Sequence, residues 1–163
     1  IENRVKEYLR EAGRRCVAAF GVKSRFIHFE FFRLTRDHDY FGKKGSVVAL
    51  EVNLRPSGGF TPDMINFANS TDVYKDWADM VAFDSIGSKE GREKYYCVSV
   101  GLRDSRSYVH TPEDIHRVYA DRIVLEQRLP DVLAIAMGDT LYLGRFAEKE
   151  ELDGFIQFLT EEK

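Results

Sequence analysis

Cysteine is scarce in this chain. There are two, Cys16 and Cys97, far apart and without metal-ligand spacing, which reads as a pair of buried thiols in a reducing compartment. Long apolar runs are missing as well. None approaches the roughly 20 residues that cross a bilayer, and no signal-peptide pattern is present. A membrane partner is therefore not expected, and the cytoplasm is the expected location. No Lys/Arg block is long enough to track a phosphate backbone, and the net charge is −3 with a pI near 5.9. Both facts argue against nucleic acid as a partner. There is also no internal repeat, no low-complexity tract and no Walker-type phosphate loop.

What remains is a globular chain of 163 residues, enough for one domain, or one domain with a small appendage, and for a real core. Its 12 Phe and 8 Tyr favour strands and a dense core over a plain helical bundle. The chain opens on Ile1 and enters a helical pattern at once, which reads as part of a larger polypeptide. Val5, Leu9, Ala12, Cys16 and Ala19 recur at helical spacing, so the pattern predicts an amphipathic helix over 3–19 that stops at Gly21. The aromatic run Phe26–Leu34 predicts a buried strand. After the polar stretch 35–46, Val47–Leu54 predicts its antiparallel neighbour.

Downstream, Thr61-Pro62 and Ser70-Thr71-Asp72 are helix starts, the second for a helix through Phe83 with Trp77 in the core. Residues 84–93 read as a linker or exposed loop. Tyr95–Leu102, Arg122–Arg128, Val132–Met137 and Leu141–Phe146 read as strands. Thr111-Pro112 opens a short helix, and Lys149–Thr160 forms the last one, with acidic residues at its start that suit the helix dipole. The whole predicts an α+β protein: an antiparallel sheet packed by helices over 1–84, then a small strand-rich α+β extension over 94–163.

The chemistry gathers on the first two strands. Side chains alternate with period two. On the second strand Val48, Leu50, Val52 and Leu54 point one way, and Val47, Ala49, Glu51, Asn53 and Arg55 the other. On the first, Ile27, Phe29 and Phe31 form one set, and His28, Glu30 and Phe32 the other. With both apolar sets on the core, Glu30 comes onto the face of Glu51 and Asn53. Two carboxylates at close range repel unless a cation sits between them. Hard oxygen donors without imidazole or thiolate suit Mg²⁺, which fills its shell with water and phosphate oxygens. An Arg followed by Pro56 and two glycines then breaks the strand and exposes backbone N–H groups.

These residues, Phe29-Glu30-Phe31-Phe32 and then Leu50-Glu51-Val52-Asn53-Leu54-Arg55-Pro56-Ser57-Gly58-Gly59, resemble the closing motif of the ATP-grasp superfamily. That motif has an acidic residue on one strand and Glu-x-Asn-x-Arg on the next. Biotin carboxylase, the large chain of carbamoyl-phosphate synthetase and many carboxylate–amine ligases share it. The stretch Asn66–Asp72 is similar to the family's next segment, where the chain turns into helices, and the likeness covers about residues 1–83. It implies that Glu30 and Glu51 bind the magnesium ions (Mn²⁺ being an alternative) that bridge the phosphates of ATP. Asn53 would complete the metal site, and Arg55 would neutralise charge on an acyl-phosphate or carboxylate intermediate. The activity implied is an ATP-dependent ligation of a carboxylate to an amine. The preceding half of the ATP-grasp fold, with its phosphate-holding lysines and adenine contacts, would be a necessary partner. Pro-Ser-Gly-Gly stands where biotin carboxylase has Gln-Val-Glu-His, which points away from bicarbonate and biotin and towards the ligase branches.

Several positions stay open. His28 shares the metal face and could touch substrate or serve structure. Gly58 and Gly59 could present N–H groups to a substrate carboxylate or simply turn the chain. His38, between Asp37 and Asp39, reads as solvated rather than as a second metal site. Two other readings of the chain are a non-catalytic ATP-grasp-like binding module and an oligomerisation module, a homodimer through 95–163.

Overall fold

The computed structural model describes residues 1–87 and 91–163. In chain order the elements are α1 (Glu7–Ala19), β1 (His28–Arg33), β2 (Val47–Asn53), α2 (Thr61–Asn69), α3 (Val73–Phe83), β3 (Tyr96–Leu102), α4 (Pro112–Tyr119), β4 (Ile123–Arg128), α5 (Asp131–Met137), β5 (Thr140–Phe146) and α6 (Lys149–Thr160). The fold is α+β, with one two-stranded and one three-stranded antiparallel sheet. No helix among the described residues is long and apolar enough to cross a membrane. Two compact units divide the chain. A core unit holds Ile1–Asn3, Asp63–Thr71 and Lys89–Lys163, and a hairpin unit holds Arg4–Pro62 and Asp72–Ser88. The linker expected over 84–93 falls in part on residues 88–90, outside the described residues.

In the core unit the strand order is β3-β5-β4. Tyr96, Val98, Val100 and Leu102 share a face with Tyr142 and Phe146, and this face packs against Ile115 of α4 and Phe155 and Leu159 of α6. The opposite face carries Cys97, Leu141 and Leu143, which are also buried. Two devices fix this arrangement. Thr111 caps α4 through a reciprocal box with Asp114, and Pro112 comes next, inside the first turn. Gly101 allows α5 to close on the sheet: a Cβ there would lie 1.7 Å from the carbonyl oxygen of Met137.

One sequence expectation fails in this unit. Residues 131–137 are the helix α5, not a strand. Pro130 cannot continue a ladder and starts a helix instead. Arg103 then takes up helical carbonyls, donating to Ala134 O at 3.2 Å and Ile135 O at 3.1 Å.

The hairpin unit is built on β1 and β2, joined by a loop that returns on itself through paired bonds between His38 and Gly42. Helix α1 lies on one face of the hairpin, where Gly13 meets the ring of Phe29 and Arg33 sits 5.2 Å over the ring of Tyr8. α1 starts at Glu7, later than the spacing implies, and Gly21, with φ +61, lies just past its end. β1 is not the buried strand its aromatic run suggests. None of its residues is buried and Phe32 is 57% exposed, because a two-stranded sheet covered on one face leaves the other to solvent. Helix α3 begins where the sequence placed it, with Asp72 accepting from the backbone of Tyr74 and Lys75. Trp77, expected in the core, is instead 49% exposed.

Candidate functional site

The register of β1 against β2 decides which side chains meet. Glu30 stands opposite Glu51, and His28 opposite Asn53. Directly opposed residues of an antiparallel pair point to the same side, so all four occupy one face of the hairpin, as the alternation implied. Period two does not hold along the whole of β2, however. The register shifts between Glu30 and Phe31: Glu51 pairs with Glu30 but Ala49 pairs with Phe31, leaving Leu50 as the extra residue of a bulge. Val47 and Ala49 therefore turn to the side of Phe29 and Phe31, where α1 lies, instead of sharing the face of Glu51 and Asn53. The bulge sits directly beside Glu51, so the acidic face ends there and an apolar groove begins on the other side.

The carboxylates are accessible. The side chain of Glu30 is 43% exposed, and His28 Nε2 stands 3.6 Å from its Oε1. Glu51 accepts a close hydrogen bond from the side-chain amide of Asn53. Neither Glu30 nor Glu51 has a Lys or Arg partner among the described residues. Like charges directly opposed across strands destabilise a sheet, so this pairing carries a local cost that a bound cation would remove. His28 adds a second cost, because its Nδ1 is buried with no hydrogen-bond partner among the described residues.

The other candidates are placed less tightly. Arg55 turns back on its own loop, donating to Pro56 O at 2.9 Å, and makes no ion pair among the described residues. Gly58 and Gly59 have open space where a side chain would start: a Cβ at either would meet nothing within 4 Å, and Gly59 has φ +59. The glycines lie just before α2, where N–H groups point out of a helix start. Asp37 is engaged by the backbone N–H of Lys44 at 2.9 Å and by Lys43 Nζ at 3.0 Å. The Lys44 N–H, then Lys43, hold its carboxyl below the ordinary range. That accounts for Asp37 without a metal.

The donor set fits a hard cation in type, with two carboxylates and an amide on one exposed face and no thiolate among them. No cluster of three or more His, Cys, Asp and Glu side chains occurs among the described residues, so the protein offers two acidic donors and one amide, not a closed cage. Such a partial set is what Mg²⁺ uses when phosphate oxygens and water complete its shell. No family model matches the chain, and no curated protein or solved structure matches it either. The resemblance to ATP-grasp enzymes thus rests on the sequence motif alone.

Sequence reasoning missed two features of the hairpin unit. One is the groove between α1 and the hairpin, which the bulge at Leu50 helps to shape and which no local signal announces. The other is the exposure of the apolar face of α3, read from the sequence as Trp77, Met80 and Val81: Tyr74, Trp77 and Val81 are exposed and, with Ala78, are spaced at i, i+3, i+4 and i+7. That periodicity was readable, but not the direction the stripe faces.

Proposed function

We propose that this chain is the C-terminal part of an ATP-grasp enzyme, an ATP- and magnesium-dependent ligase that activates a carboxylate as an acyl phosphate for attack by an amine. The observation that carries the proposal is the direct opposition of Glu30 and Glu51, beside Asn53 and without a Lys or Arg partner among the described residues. In this reading the two carboxylates and the Asn53 amide hold Mg²⁺, and bound Mg-ATP supplies the phosphoryl group. Arg55 lies just past β2, in no ion pair among the described residues, and its charge can meet the negative charge that develops on a transferring phosphoryl or acyl group. The open Ser57-Gly58-Gly59 turn can offer N–H groups to a carboxylate substrate, and His28 borders the same face. The phosphate-holding lysines and adenine contacts belong to the other half of the ATP-grasp fold. The unpaired cysteines, one buried and one half-buried, support a reducing, cytoplasmic setting.

The test is a Mn²⁺ titration followed by electron paramagnetic resonance, with and without ATP, on the chain and on Glu30→Gln and Glu51→Gln. The reading expects ATP to tighten Mn²⁺ binding in the parent chain and each substitution to abolish that gain. Equal binding in all three proteins would remove the metal site. Phosphate release by the full-length protein against a panel of carboxylates and amines would then identify the substrates.

A further inference from the structure

The hairpin ladder is regular on both sides of its bulge. His28, Phe29 and Glu30 stand opposite Asn53, Val52 and Glu51 on one side, and Phe31, Phe32 and Arg33 stand opposite Ala49, Val48 and Val47 on the other, while Leu50 stands opposite no residue of β1. The pairing does not call for this extra residue. Were residue 50 absent, Ala49 and Glu51 would be chain neighbours, the same pairs would form, and side chains would alternate faces without a break. Packing does not call for it either, since Leu50 is 55% exposed. A residue inserted in this way interrupts the ladder, bends its strand and raises the local twist, and so re-aims the side chain next to it. Here that side chain is Glu51.

The oxygen donors gather on the side of Glu51 away from the bulge. Glu51 leans along its own strand and accepts a close hydrogen bond from the amide of Asn53, although same-face neighbours leave the backbone about 6.6 Å apart. Across the sheet Glu30 stands beside His28, whose Nε2 lies 3.6 Å from its Oε1. We infer that the bulge is a positioning device for the metal ion. The extra backbone residue, and not the leucine side chain, tilts the Glu51 carboxylate away from the Phe32–Val48 pair and onto the ion it shares with Glu30. Mg²⁺ holds its oxygens at about 2.0–2.1 Å in a near-ideal octahedron, so the direction in which a carboxylate leaves its strand decides whether it binds. Groups that orient a metal ligand are worth about 10- to 100-fold in metal affinity. The inference rests on the reading of Glu30 and Glu51 as magnesium ligands and adds the device that aims one of them.

Deletion of Leu50 tests it, because the deletion removes the bulge and keeps every cross-strand pair. Mn²⁺ titration in the presence of ATP, followed by electron paramagnetic resonance, compares the parent chain, the deletion and Leu50→Ala. The deletion should weaken Mn²⁺ binding by roughly tenfold or more. Leu50→Ala keeps the extra backbone residue and should bind as the parent does. Thermal denaturation without metal should find the deletion at least as stable as the parent, since its ladder is uninterrupted. A disrupted hairpin would lower that stability, so the two measurements separate aiming from folding. Equal affinity in the parent and the deletion overturns the inference and leaves the metal site standing. A deletion that destabilises the chain overturns it too, by showing that the structure needs the extra residue. Loss of binding in Leu50→Ala assigns the effect to the side chain and overturns it as well. A parent chain that binds no Mn²⁺ with ATP removes the magnesium reading itself, and the inference with it.

Discussion

The two units of this chain solve the same problem to different degrees. The core unit sandwiches its three strands, with fully buried side chains on both faces: Tyr142 and Phe146 on one, Cys97 and Leu143 on the other. The hairpin unit has two strands, one helix on one side, and only Pro62, Val73 and Asp76 buried among its described residues. Most of the large exposed hydrophobics belong to it, among them Phe20, Phe32, Tyr40, Leu50, Trp77 and Phe83. A sheet or helix with an apolar face reaches stability by covering it. The core unit does so within itself, whereas the hairpin unit leaves surfaces that suit ligands and partners. The candidate chemistry lies on the half-built unit, in keeping with functional groups sitting where packing is incomplete.

The sharpest way to break this contrast is to remove one buried and one exposed ring. Phe155 is fully buried between Phe146 and Tyr119, so Phe155→Ala should cost about 3–5 kcal/mol in urea unfolding. Phe32→Ala, on the open face, should change stability by less than about 0.5 kcal/mol. Similar losses from the two would mean that the hairpin has a core of its own. Next in size is Gly101→Ala. The new methyl would collide with the Met137 carbonyl, a backbone atom that cannot swing aside. Overpacking of that kind costs about 1–3 kcal/mol, and loss of α5 contacts would show as faster amide exchange in 131–137.

A smaller effect is expected at the α4 cap. Thr111→Ala removes the hydroxyl that accepts from Asp114 N and should cost about 1 kcal/mol. The Asp114 carboxyl is held below its ordinary value of 3.8, first by the backbone N–H of Thr111, then by the Thr111 hydroxyl, with Arg117 helping. A folded carboxyl that gives up its proton more readily than the unfolded one adds stability above that ordinary value. The contribution is lost as pH falls below it. Asp114→Asn should therefore flatten the acid limb of the stability–pH curve and leave the hairpin unit unchanged.

Much of the core unit could be read directly from local signals. Thr111-Pro112 marked α4, acidic residues marked the start of α6, alternation marked β4, and the Gly138-Asp139 turn marked the start of β5. Residues 131–137 could not be read that way. Val-Leu-Ala-Ile-Ala-Met is apolar throughout, so periodicity cannot separate strand from helix, and the outcome was decided by Pro130 and by the distant Arg103. On the hairpin, the shared face of Glu30, Glu51 and Asn53 came from period two, because all three lie on one side of the bulge. Val47 and Ala49 lie beyond it, and a bulge leaves no mark in composition when the extra residue is a leucine. Trp77 was misplaced for a related reason: helical spacing shows that a stripe exists, and only tertiary structure shows whether anything covers it.

The smallest expected effect bears most directly on the opposed carboxylates. If Glu30 and Glu51 are simply two solvated side chains, replacing one by glutamine should do little at any metal concentration. If they are held opposite each other for a cation, the metal-free protein bears their repulsion, and removing one charge should relieve it. Glu51→Gln should then stabilise the metal-free chain by about 0.2–1 kcal/mol, the range of cross-strand pair energies, and salt should shrink that gain by screening. The same substitution should abolish the stabilisation that Mn²⁺ with ATP gives the parent chain, since a ligand raises stability only where it binds the folded state. The two halves of the result run in opposite directions, a gain without metal and a loss with it. A general weakening of the hairpin would lower stability under both conditions, so thermal denaturation of the two proteins, each with and without Mn²⁺ and ATP, separates a metal site from a structural one.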